Sequence, residues 1–175
     1  LAIISQTECS KRLATNLTIA VALPKGDRQK FLIEKLVELG VQRLIPLKTT
    51  RSVAVANDKV IQRLQKQVVE ACKQCERNTL MEIVAQKSIR ELNEALDGTE
   101  ACFVADPYQG VQVSAVDSEL KSIVVAIGPE GGFDDSEVQN LIEFGFQPIQ
   151  IGRAILRVET AALAVAAILG AGREE

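Results

Sequence analysis

The sequence predicts an α/β domain on a mostly parallel sheet, and three observations carry that expectation. Short apolar runs rich in Val and Ile alternate with stretches of helical periodicity along the whole chain. Gly- and Pro-bearing corners separate them, the most concentrated being Ile127-Gly128-Pro129-Glu130-Gly131-Gly132-Phe133 between a strand-like run and a helix start. Hydrophobic residues make up 47% of the chain but aromatic ones only 3%, so the core is aliphatic, as strands buried on both faces require.

The elements follow in order. Residues 1–16 lack a clear period and read as the tail of something upstream, leaving 17–175 as the domain. Leu17–Leu23 is a buried strand. Pro24-Lys25-Gly26-Asp27 is a turn with Asp27 as N-cap of a helix over 28–39, which Gly40 stops. Val41–Leu47 is the next strand, and the loop 48–57 carries Lys48 and Arg51. The longest helix, 58–77, places Ile61, Leu64, Val68, Ala71, Cys72 and Cys75 on its core side. A short strand at 82–85 precedes a capping box, Ser88 with Glu91, that opens a helix to Leu96. After an Asp97-Gly98 turn comes the strand Ala101–Ala105 and a loop over 106–110, while 111–121 carries no clear signal. The strand 122–127 leads through the glycine corner to a helix over 135–144, with Val138, Leu141 and Ile142 inward and Gly145 as its stop. Pro148–Ile151 is the last strand, and a helix over 158–169 closes the domain.

Composition excludes several classes. No apolar run reaches the roughly 18 residues of a membrane span, and no signal peptide is expected. Cys72 and Cys75 form a C-x-x-C pair, but with no histidine anywhere and no second pair a zinc set is not completed. No metal is therefore expected, and the four cysteines fit reduced thiols in the cytoplasm. So few aromatic residues count against base-stacking platforms of RNA-recognition type. The net charge of −3 hides an asymmetry. Residues 1–90 hold 16 Lys and Arg against 8 Asp and Glu, a net +8, whereas 91–175 hold 4 against 15, a net −11. Either a basic face sits on an acidic body or the charge is ordinary solvated surface.

The glycine corner, and a second one at 151–161, leave main-chain groups free at strand carboxyl ends, where open α/β sheets bind ligands. Together they are expected to hold one cofactor. A phosphate fits poorly, because neither G-x-x-x-x-G-K-[ST] nor G-x-G-x-x-G is present and Glu130 between the glycines repels anions. A neutral or cationic ligand suits that carboxylate better.

IGPEGGF at 127–133, followed by IGRAILRVETA at 151–161, resembles the SPOUT class of S-adenosylmethionine-dependent RNA methyltransferases. Leu23-Pro24-Lys25-Gly26-Asp27, Lys35, Glu38-Leu39-Gly40-Val41, Pro46, Arg51-Ser52, Glu70-Ala71, Gln74 and Arg77 narrow the resemblance to the ribosomal RNA small subunit methyltransferase E family, over roughly residues 17–170. That resemblance implies methylation of N3 of a uridine in 16S rRNA of the small ribosomal subunit. It also implies a C-terminal deep trefoil knot, which neither periodicity nor composition reveals, and a homodimer through the knot region with the last helix in the interface. The family carries an N-terminal PUA-like RNA-binding barrel, of which residues 1–16 are expected to be a remnant or linker.

On this reading the cofactor-binding residues are Ala105, Asp106, Ile127, Gly128, Pro129, Glu130, Gly131, Gly132, Ile151, Gly152, Ile155, Leu156, Arg157, Thr160 and Ala161. The uridine N3 proton must leave before or during attack, and the candidate catalytic residues are Arg157, Glu159 and Glu130. Arg157 either stabilises charge developing on the uracil carbonyl oxygens or pairs with Glu159 or another neighbour. Glu159 is either a proton acceptor or a complement to the last helix's N-terminus. Lys25, Arg28, Lys30, Lys48, Arg51 and Arg153 are candidate RNA contacts, which position without specifying sequence. Three rival readings stand beside this one: a SPOUT enzyme acting on tRNA or 23S rRNA, a non-catalytic knotted RNA-binding module, and an α/β enzyme acting on a small anionic ligand.

Overall fold

In strand β1 (Asn16–Val21) the alternate residues Leu17, Ile19 and Val21 enter one apolar core and Ala20 enters another on the opposite face. The same alternation runs through β2 (Arg43–Lys48), with Leu44 on one side and Ile45 and Leu47 on the other. A sheet with both faces apolar needs cover on both, and the helices supply it. This arrangement is seen in a computed structural model that describes residues 15–96 and 98–170. Residues 1–14, which hold Cys9 and nearly all of the expected upstream remnant, and Asp97 lie outside the described residues.

Helix α1 (Asp27–Glu38) buries Leu32, Ile33, Leu36 and Val37. Its N-cap is Gly26 (φ 64°) and not Asp27, which is the first helical residue and makes no cap bond. Its end is as expected: Gly40 takes φ 81°, its N–H bonds the Val37 carbonyl at 3.1 Å, and Val41 bonds Leu36 at 3.1 Å. Helix α2 (Asp58–Gln74) is capped by the Asn57 side chain, which accepts from the Val60 N–H. It stops before the expected Arg77 because Glu76 turns to φ 57° and the Arg77 N–H reaches back to the Cys72 carbonyl. Cys72 is buried in the core and Cys75 packs at its margin. Desolvation pushes the Cys72 thiol's pKa up, away from the reactive thiolate.

The expected strand at 82–85 is shortened to β3 (Glu82–Ile83), and a separate β4 (Lys87–Ser88), not expected, follows it; the two pair with different parts of β2. The Ser88–Glu91 capping box opens α3 (Ile89–Glu94) as read from the sequence. Strands β5 (Ala101–Ala105) and β7 (Ser122–Ile127) fall where expected. Between them lie a short β6 (Val111–Gln112) and a 3-10 turn at Val113–Ala115. Helix α4 (Asp135–Glu143), strand β8 (Gln147–Gln150) and helix α5 (Val158–Gly170) complete the chain.

The strand order is β3-β2-β1-β7-β5-β8-β6, with β4 also on β2, and every pairing is parallel. Helices α1, α2 and α5 cover one face, while α3 and α4 contribute to the core on the other. Residues 151–157 therefore carry the chain across the carboxyl edge of the sheet, from the layer of α4 to that of α5.

Candidate active site

Because β7, β5 and β8 are neighbours in register, the segments that leave their carboxyl ends emerge side by side. Those segments, 105–109, 128–133 and 151–156, enclose a cleft of 870 Å³. Ile127, Val158 and Ala161 also line it, with Val138, Gln139, Ile142 and Glu143 of α4. The two glycine-bearing corners thus share one cavity.

The corner after β7 is a tight turn. The Gly132 N–H bonds the Pro129 carbonyl at 2.8 Å, and Gly132 takes φ 71°, a conformation costly for any residue with a Cβ. Two arginines from distant elements hold the turn. Arg51 Nη1 donates to the Gly131 carbonyl at 2.6 Å, and Arg28 donates to the Glu130 carboxylate. Arg28 also lies 3.8 Å from Glu159 Oε2, a buried oxygen with no hydrogen-bond partner. One guanidinium on α1 therefore faces two carboxylates, one from the turn and one from the first turn of α5. Its pKa rises through the hydrogen bond to Glu130, which outweighs desolvation. The same bond, with Arg28's charge, holds the Glu130 carboxyl below its ordinary range, and Arg157 adds a smaller pull. A carboxyl held down in this way is a weak proton acceptor.

The start of α4 is tied down as well. Asp134 caps it by accepting from the Glu137 N–H at 2.8 Å, and Glu137 returns a bond to the Asp134 N–H at 3.0 Å. Glu137 is buried, and its other oxygen accepts from the Thr50 N–H at 2.7 Å. The loop that carries Arg51 is thereby fixed to the helix behind the glycine turn.

Of the residues expected at the cofactor site, Ala105, Asp106, Ile127, Gly128, Pro129, Glu130, Gly131, Gly132, Ile151, Gly152, Ile155, Leu156 and Ala161 line the cleft. Arg157 and Thr160 are exposed beside it and do not line it. Glu159 is buried outside it. Of the expected RNA contacts, Arg28 and Arg51 are already bonded to the turn, and Lys30 is 3.6 Å from Glu34. Lys25, Lys48 and Arg153 are exposed. Ile142 was expected in the core, yet it is 48% exposed on the cleft wall, because α4 turns Glu137 and Leu141 inward instead. Sequence reasoning missed Tyr108, Phe133, Asp135, Gln139 and Glu143, which also line the cleft. For Gln139 and Glu143 the signal was the neighbouring apolar pair Val138 and Ile142 of α4, misread as core; Tyr108 and Phe133 had none.

The charge of this lining is informative. Asp106, Glu130, Asp135 and Glu143 contribute carboxylates, and among the described residues Arg51 is the sole cationic one in the lining. The walls otherwise are aliphatic side chains and main chain. Such a cleft suits a cation with a nonpolar body.

Known proteins fit this geometry. A sequence profile for the RNA methyltransferase domain matches residues 11–170. The ribosomal RNA small subunit methyltransferase E of Synechocystis sp. is 34% identical over 151 residues, covering 83% of this chain and 50% of that protein. The protein of the same name from Bacillus subtilis is 34% identical over 173 residues, covering 92% of this chain and 68% of that protein. The crystal structure of the Neisseria gonorrhoeae ribosomal RNA small subunit methyltransferase E bound to S-adenosyl methionine matches with a TM-score of 0.83 at 32% identity, over 90% of this chain and 66% of that one. This chain thus spans about half to two thirds of the length of these relatives.

Proposed function

The chain belongs to the ribosomal RNA small subunit methyltransferase E family, and on that premise we propose that it transfers a methyl group from S-adenosylmethionine to N3 of a uridine in 16S rRNA. One observation carries the reading beyond family membership: a cleft at the carboxyl ends of three parallel strands, lined by four carboxylates and by a single arginine already bonded to the Gly131 carbonyl. That lining fits a cationic donor and disfavours the rival small anionic ligand.

S-adenosylmethionine, when bound, supplies a methyl group on a positively charged sulfur. The N3 proton would pass to water before the base is enclosed, and N3 would then take the methyl group as the methyl–sulfur bond breaks, its electron pair staying on sulfur as the neutral thioether. The chain's residues act around that event. Main-chain groups of 128–132 and 151–156 hold the donor. The ionised Glu130, kept so by Arg28, complements its charge. Val138, Ile142, Ile151 and Leu156 exclude water. Arg157, exposed between two cleft-lining residues, approaches the uracil carbonyl oxygens and favours loss of the N3 proton. Glu159 acts through Arg28 and is a positioning residue in this scheme. Lys25, Lys48 and Arg153 contact RNA phosphates.

The larger frame is part of the same proposal. The corners at 128–133 and 151–161 cross as a deep trefoil knot. The last helix meets its counterpart in a homodimer, a role supported by half-buried Leu163, Ala164 and Ala167 and by exposed Ile168. The family's PUA-like domain, of which residues 1–16 are a remnant or linker, adds RNA affinity, and the enzyme works on small subunits in the cytoplasm. Among the described residues no helix is long and apolar enough to cross a membrane.

Calorimetry with S-adenosylmethionine tests the donor, and absence of binding at millimolar concentration removes it. Mapping methyl groups by mass spectrometry, after incubation with small subunits that lack their modifications, tests the target. A methyl group on uridine C5 or on a ribose oxygen overturns the N3 assignment.

A further inference from the structure

Tyr108 is the chain's one tyrosine, and at 79% exposed it is the most exposed large hydrophobic side chain among the described residues. It lines the cleft together with Ile155, 71% exposed, and Ile142. Its loop is built to hold it there. Asp106 Oδ1 accepts from the Tyr108 N–H at 2.7 Å and from the Gln109 N–H at 3.1 Å, and Asp106 Oδ2 accepts from Gln109 Nε2 at 3.2 Å. Gln150 Nε2 donates to the Pro107 carbonyl at 3.5 Å. Gly110 sits so close to β8 that a Cβ there would lie 2.2 Å from the Pro148 oxygen. A braced loop therefore presents a bare aromatic face at the mouth of the cleft.

We propose that Tyr108 stacks on the target uracil and so presents its N3 edge to the methyl donor. The inference rests on the uridine methyltransferase reading above and adds a substrate-contacting residue to it. N3 lies on the Watson–Crick edge, so the base must be unpaired and drawn out of its stack before it can react. An aromatic face at the cleft mouth replaces the lost stacking, and any base presents a face to it. The buried part of the lining, Ile127, Val158 and Ala161, offers the donor's adenine an apolar seat apart from the exposed ring. At 870 Å³ the cleft is near the top of the range of about 300–1,000 Å³ for single small ligands, which leaves room for a base beside the donor.

The test uses Tyr108→Ala and Tyr108→Phe. For small subunits lacking modifications, at saturating S-adenosylmethionine, Tyr108→Ala is expected to lower kcat/KM about tenfold or more, chiefly through KM for the RNA. Tyr108→Phe, which keeps the ring, restores most of that loss, and the calorimetric affinity for S-adenosylmethionine moves in neither variant. With one tyrosine and no tryptophan, the chain's intrinsic emission is a direct probe: a uridine-containing oligoribonucleotide quenches it, and S-adenosylmethionine alone does not. Wild-type activity in Tyr108→Ala overturns the assignment. Quenching by S-adenosylmethionine alone, with weakened cofactor binding in Tyr108→Ala, overturns it too and puts the ring on adenine. If the wild-type chain transfers no methyl group yet is quenched by the oligoribonucleotide, the reaction reading falls and the stacking contact stands; if neither occurs, both fall.

Discussion

The two corners that share the cleft are built in opposite ways. The turn at 128–133 is held from outside by Arg28 and Arg51, from within by the Gly132–Pro129 bond, and from behind by the Asp134–Glu137 cap. The segment 151–157 contains the exposed Arg153, Ala154, Ile155 and Arg157, and among the described residues none of its side chains makes a hydrogen bond or ion pair. One jaw is fixed by folding, and the other is left to adapt. If the cleft takes both donor and base, as proposed above, this division serves it: the held turn supplies pre-organised main-chain groups, and the segment without side-chain bonds is the one free to adjust.

The contrast is sharpest at the chemistry. Arg157, on the loose jaw, is expected to act in the transition state. Arg157→Ala should lower turnover about 100-fold while cofactor affinity changes little; parallel losses in both would make it a cofactor or structural residue. Hydrogen exchange comes next. Amides of 153–156 should exchange about tenfold or more faster than those of 130–132 in the free protein, and S-adenosylmethionine should narrow the gap. Equal rates without ligand would erase the distinction. Gly132→Ala attacks the fixed jaw. No atom lies within 4 Å of the added Cβ, so the cost is one of backbone conformation at φ 71°, about 1 kcal/mol of stability, read by denaturant unfolding.

The smallest effect is on pH dependence. Asp134 is held at about 2, below its ordinary 3.8, chiefly by the Ser136 hydroxyl and then by the Glu137 N–H and the Thr50 hydroxyl. A carboxyl lowered in the folded state stabilises fully above its unfolded pKa and loses that contribution as pH falls through the folded one. The cap behind the fixed jaw should therefore be whole above about pH 4 and weaken toward pH 2. Asp134→Asn should lower the melting temperature at neutral pH and flatten its acid decline. Glu130, lowered by Arg28, adds to the decline with the same sign.

The sequence made the strands legible because a sheet buried on both faces writes them as plain apolar runs; β5 and β7 fall on their expected residues. It made both corners legible through their glycines. It misplaced Ile142 because an apolar stripe facing a cleft has the same period as one facing a core. It misjudged the cap of α1 because Asp is a good N-cap in general, whereas here Gly26 at φ 64° sets the entry to the helix. It did not reveal that Arg28 and Arg51 hold the glycine turn, because a charge in a sequence does not name its partner, and theirs lie 102 and 80 residues away. Tyr108 passed unnoticed in a loop without periodicity, where the main-chain bonds to Asp106 that brace the loop carry no sequence signal.

Strand order also governs assembly. The middle of the sheet joins β1 to β7, two segments from opposite halves of the polypeptide. As the nascent chain leaves the ribosome, β1, β2 and the first two helices form early, yet one edge of β1 waits for β7. Such distant pairing slows folding. Until it closes, an unpaired apolar strand edge stands open to other chains, so the half of the protein without the two glycine corners depends on the half that has them.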